Sequence, residues 1–176
     1  MDAASGGRRR VAGVLAIVGG VLLAAGSFLT WAEVSGGGTT ARASGTDGSD
    51  GWVTLAAGAA LLAAGAAFVG GRGRRGLGVI AIVAALIGGG TGLYDALTAR
   101  DRVLDALTEA LAEQVAATAQ EIRAILDVSA EAGELAISIG LGLFMVIGGG
   151  ALGLVGGWLG LGGRRPAPDA PPPLLE

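Results

Sequence analysis

Four long apolar runs, arginines gathered on alternate sides of them, and small residues spaced four apart within them predict an all-α integral membrane protein. The expected fold is a four-helix transmembrane bundle with a short β-hairpin in its first outer loop and an amphipathic outer helix, continuous or broken, in its second. Of the 176 residues 52% are apolar and only 15% charged, against about 25% charged in an average soluble domain. Cysteine and histidine are absent, which excludes disulfides, thiolate metal sites and cysteine or histidine catalysis.

The apolar runs are residues 11–32, 52–71, 77–94 and 135–163. Each reaches the roughly 18 to 20 residues that a helix needs to cross a hydrocarbon core. An unpaired peptide group in lipid is costly, so such runs are expected to be helical. Orientation follows from the arginines. Arg8, Arg9 and Arg10 lie in the N-terminal segment 1–10, Arg72, Arg74 and Arg75 in the short connection 72–76, and Arg164 and Arg165 in the tail 164–176. The positive-inside rule makes that side cytoplasmic and places both termini there. Most acids fall in the opposite segments, 33–51 and 95–134. The first run continues to Trp31, too long for the apolar part of a cleaved signal peptide, and is read as a span. The proline-rich tail RRPAPDAPPPLLE has little to bury and is expected to be disordered or polyproline-like.

Close helix packing in lipid needs small residues at spacing four. The first span offers Ala12, Ala16, Gly20 and Ala24, the second Ala59, Ala63, Ala67 and Gly71, the third Ala84, Gly88 and Gly92, and the fourth two pairs, Gly149 with Gly153 and Gly156 with Gly160. A compact bundle is the expectation.

The stretch GTDGSDGW from Gly45 to Trp52 brings the chain from the first outer loop into the second span. Asp50 is expected to cap that helix by accepting the Val53 amide, with Trp52 at headgroup depth. Trp31 and Tyr94 would anchor the same level of their spans and Trp158 the inner level. A calcium loop needs a glutamate at its twelfth position, where this sequence has Gly58, so no metal site is expected. Upstream, TWAEVS and TTARAS alternate in polarity around Gly36, Gly37 and Gly38, the pattern of a hairpin with a three-glycine turn.

Residues 93–132 contain neither glycine nor proline. On a 3.6-residue period Leu104, Leu107, Leu111, Val115, Ile122, Ile125 and Leu126 share one face, opposite Arg102, Asp105, Glu109, Glu113, Gln120 and Asp127. Thr98 to Asp101 is a loose helix start, and Thr118 to Glu121 fits a capping box that would break the helix near Ala117. Unbroken from Asp101 to Asp127, the helix would be about 40 Å long and overhang its own bundle. Its apolar face is the candidate contact surface, either for the rest of the outer region or for a partner.

The layout resembles a broad group of small four-span membrane proteins of actinobacteria. The likeness is carried by FLTW, GTDGSDGWVTLAAG, RGRRG and SIGLGLFMVIGGGALGLVGG. It implies a plasma-membrane location and no particular substrate. A β-like loop on four spans is also similar in architecture to claudins, whose paired loop cysteines this sequence lacks.

No charged residue lies well inside a span and no proline interrupts one, which argues against a proton-coupled carrier. The cytoplasmic arginines are those the topology needs, so nucleic acid is not an expected partner. The expectation is therefore a non-enzymatic envelope protein without cofactors. It would sit in the lipid bilayer and act structurally or by contact through its outer loops, with itself or with another envelope protein. A subunit of an oligomeric channel or carrier is the alternative.

Overall fold

The computed structural model describes residues 3–72, 74–115 and 117–162. The proline-rich tail, with Arg164 and Arg165, lies outside the described residues. Among the described residues four helices are long and apolar enough to cross a membrane: α1 (Ala3–Phe28), α2 (Ser49–Val69), α3 (Arg75–Ala112) and α5 (Leu141–Leu161). They form a ring in which α1 packs on α2 and α5, and α3 closes the opposite side against the same two helices. The ends that carry Arg8, Arg9, Arg10, Arg72, Arg74 and Arg75 meet at one end of the bundle, where Gly162 at the end of α5 approaches Arg8.

The closest helix contacts of the bundle are made by small residues, with Leu23, Leu61, Phe68, Leu143 and Val146 also buried in its core. Ala12, Ala16, Ala64, Ala81 and Ala85 are buried, while Val14, Val21, Val83, Ile87 and Val155 point outward and are about half exposed. A Cβ built on Gly19 would stand 2.6 Å from the Gly149 carbonyl oxygen, and one on Gly20 would stand 2.8 Å from that of Gly58. Any side chain there would push the backbones apart, so glycine sets the helix spacing. The stripes expected on α1, α3 and α5 are mostly buried, but on α2 Ala59 and Ala63 face outward. The buried face of α2 carries Thr54, Ala57, Gly58, Leu61, Ala64, Gly65 and Phe68 instead. In so alanine-rich a helix several stripes satisfy the spacing, and the one with Gly58 and Gly65 allows the closest approach to α1. The buried hydroxyls where α1 meets α2 are satisfied: Ser27 of α1 donates to the Leu23 carbonyl at 2.8 Å and lies 2.6 Å from the Thr54 hydroxyl of α2.

At the other end sits a three-stranded antiparallel sheet, β1 (Thr30–Gly36), β2 (Thr39–Ser44) and β3 (Leu135–Ile139), in the order β2-β1-β3. It corrects three expectations. Helix α1 stops at Phe28, short of residue 32, because the chain turns into β1. The fourth apolar run begins as a strand, and its helix starts only at Leu141; Val34 pairs with Ile137 and Ala32 with Ile139. The hairpin turn uses two glycines, Gly37 and Gly38, with φ of +56° and +78°, whereas Gly36 pairs with Thr39 inside the ladder. Two successive positive φ values are what a tight hairpin turn demands.

The third run does not end at residue 94. Helix α3 continues to Ala112, and Thr98, expected at a helix start, donates its hydroxyl to the Tyr94 carbonyl at 2.9 Å as a mid-helix residue. The break comes before α4 (Ala119–Glu131). There the Thr118 hydroxyl accepts the Glu121 amide at 3.3 Å, and the Glu121 carboxylate accepts the Thr118 amide at 3.0 Å. Helix α4 folds back on α3, and Arg123 pairs with Asp101, Asp105 and Asp127.

Candidate functional site

A cavity of about 230 Å³ opens at the sheet end, between β1, β2, the 3₁₀ turn Gly45–Asp47, the first turn of α2, α3 and the start of α5. Its walls are mainly apolar, formed by Trp31, Ala32, Ala43, Val103, Ala106 and Leu143. Its polar side is made by Asp50, Asp95 and Arg102. Each comes from a helix end or a helix extension. Asp50 stands in the first turn of α2, and Asp95 and Arg102 lie two turns apart on one face of α3.

Arg102 holds the two acids together. Its Nη1 donates to Asp50 Oδ2 at 2.8 Å and lies 2.7 Å from Asp95 Oδ1, and its guanidinium stacks over the Tyr94 ring at 5.2 Å. The Asp95 contact is close in distance but poorly directed, and neither Asp95 oxygen accepts a hydrogen bond. The Asp95 side chain is only 8% exposed. Asp50 and Asp95 flank the apolar runs 52–71 and 77–94 and lie outside them. Burial pushes the Asp95 carboxyl up to about 6; Arg102 opposes this, and the neighbouring Asp50 carboxylate adds to it. Asp50 moves the other way, held below its usual value chiefly by the hydrogen bond from Arg102, with burial opposing. With both acids ionised the cluster carries one net negative charge. It can hold a proton or receive a cationic hydrogen-bond donor. Among the described residues no group of three acids is placed to bind a metal ion.

The residues singled out from sequence fall into three sets. Asp50 is not the helix cap: α2 begins at Ser49 after Gly48, no side-chain cap bond forms, and the Asp50 carboxylate turns to Arg102. The neighbouring Asp47 does the local work by accepting the Ser44 amide at 2.6 Å. Trp52, Tyr94 and Trp158 are 59%, 58% and 70% exposed. Trp31 is instead buried. A register shift in β1 between Thr30 and Ala32 accompanies its turn into the bundle end, where its indole N–H donates to the Gly26 carbonyl at 2.8 Å. It plugs the end of the bundle and floors the cavity.

The outer face is divided. Leu104 and Ile122 are buried between α3 and α4, Leu107, Leu111 and Leu126 are half-buried, and Val115 and Ile125 remain exposed. Sequence reasoning passed over Asp95 and placed Arg102 only on the polar face of the outer helix. The available signal was an acid set directly against the run ending in Leu93 and Tyr94, with an arginine seven residues on. No family model, curated protein or solved structure matches this chain.

Proposed function

We propose that the chain is a non-enzymatic multi-pass protein of the plasma membrane, with both termini in the cytoplasm, acting structurally or by contact in the cell envelope. Its sheet and α3–α4 hairpin face outward and meet a protein partner, either a second copy or another envelope protein. Four apolar helices with outward-facing valines and isoleucines support the lipid environment. The arginines at one end support the orientation.

The observation that carries the contact role is the apolar surface left on the hairpin beyond the spans. Val115, Ile125 and Val128 are 51%, 65% and 66% exposed, although Leu104 and Ile122 already fill the contact between the two helices. Size measurement in mild detergent, with crosslinking on intact membranes, tests it. Wild type should form a defined complex, and the pair Ile125→Asp and Val128→Asp should reduce it to single chains of unchanged helicity. A wild type that is already monomeric and uncrosslinked would contradict the reading.

A further inference from the structure

The Asp95 cavity has a chemical preference that does not depend on the α4 surface. A carboxylate more than nine-tenths buried, 2.7 Å from Arg102 Nη1 but with neither oxygen hydrogen-bonded, lines a mainly apolar chamber whose other charged groups are Asp50 and Arg102. Its one nearby cation, Arg102, already donates to Asp50. An anionic ligand would meet two carboxylates, and an apolar one would leave the Asp95 oxygens without donors. A group with one positive charge and several N–H donors balances the cluster and fills those acceptors.

We propose that the cavity between α2, α3 and the sheet binds a primary ammonium group carrying a short apolar body, with Asp95 as its principal acceptor. Trp31, Ala99, Val103 and Leu143 enclose the body. The ammonium has two natural sources, a free alkylamine or the ethanolamine headgroup of a phospholipid. The second fits a chamber built at the ends of two apolar runs, where headgroups would lie. A proton on Asp95 competes with the ammonium. The charged or titratable groups facing that acid are Asp50 from α2 and Arg102 from α3, while the sheet and α5 bring only uncharged residues to the lining. An alkylamine, like lysine, stays charged up to about pH 10, so binding should weaken as pH falls through about 6.

The test uses the full chain in neutral detergent, titrated with n-butylammonium in a calorimeter, and in parallel nanodiscs of phosphatidylethanolamine or phosphatidylcholine. Saturable butylammonium binding points to a free amine, and preferential retention of phosphatidylethanolamine points to the headgroup. In either arm Asp95→Asn should weaken binding about tenfold or more, as should a shift from pH 7.5 to 5. Ala99→Leu, which fills the chamber without touching the acid, should do the same and decides the matter if Asp95→Asn does not fold. The proposal is overturned by no saturable butylammonium binding together with equal retention of both lipids, by a folded Asp95→Asn or Ala99→Leu protein that binds as wild type does, or by equal binding at the two pH values.

Discussion

The bundle and the sheet end are built to opposite plans. In the bundle, alanine and glycine make the close helix contacts, with Leu23, Leu61, Phe68, Leu143 and Val146 buried among them, while many valines and isoleucines face out. At the sheet end, Leu104 and Ile122 are inside and Asp101, Asp105 and Glu121 are outside. On the proposed membrane placement, two solvents account for the difference. Hydrocarbon gives large side chains no reason to hide, so contact there is won by letting backbones approach. Water drives leucine and isoleucine inward, at about 25 cal/mol per Å² of apolar surface.

The comparison breaks most visibly at the glycines. Gly149→Val should disrupt the α1–α5 contact and cost about 3 kcal/mol or more by overpacking against backbone, read by unfolding in mixed detergent. Val14→Leu, on the outward face of α1, should stay within about 0.5 kcal/mol of wild type. Leu104→Ala should cost about 2–4 kcal/mol and act only on the sheet end. Hydrogen exchange should then rise in α4 while the bundle amides of α1 and α5 keep their protection.

Asp95 sharpens the boundary between the two regions. Its folded pKa is raised, so the native state binds the proton more tightly than the unfolded chain. Its contribution therefore favours folding below the unfolded value of 3.8 and is lost as pH rises through about 6. Asp50, lowered by Arg102, has the opposite sign: its stabilisation is present above the unfolded value and lost as pH falls through its lower folded value. Asp95→Asn should remove the decline in stability between pH 4 and 7, with up to about 3 kcal/mol gained at pH 7, as measured by unfolding across that range. Thr118→Ala should cost less, about 1 kcal/mol, and fray only the first turn of α4.

How much of this was legible in the sequence depends on the range of the interaction involved. The four helices could be read because hydropathy is local, and the Thr118–Glu121 cap because its partners are three residues apart. The strand Leu135–Ile139 could not be told from the helix it precedes, since its residues are apolar or small and its reason for being extended is β1, far away in the chain. Trp31 has the composition of an anchor and became a plug through a shift in strand register. Asp95 and Arg102 were hidden by the expectation that α3 ends at Tyr94, for only a continuous helix aligns them beneath Asp50.

The orientation of the two regions relative to a membrane is the central claim, and the absence of native cysteine makes its test clean. Single replacements Thr40→Cys in β2, Ala124→Cys in α4 and Arg74→Cys at the arginine end should be labelled with a membrane-impermeant maleimide on intact cells. The account predicts reaction at 40 and 124, with reaction at 74 only after permeabilisation. Labelling at 74 in intact cells with protection at 40 and 124 would contradict it.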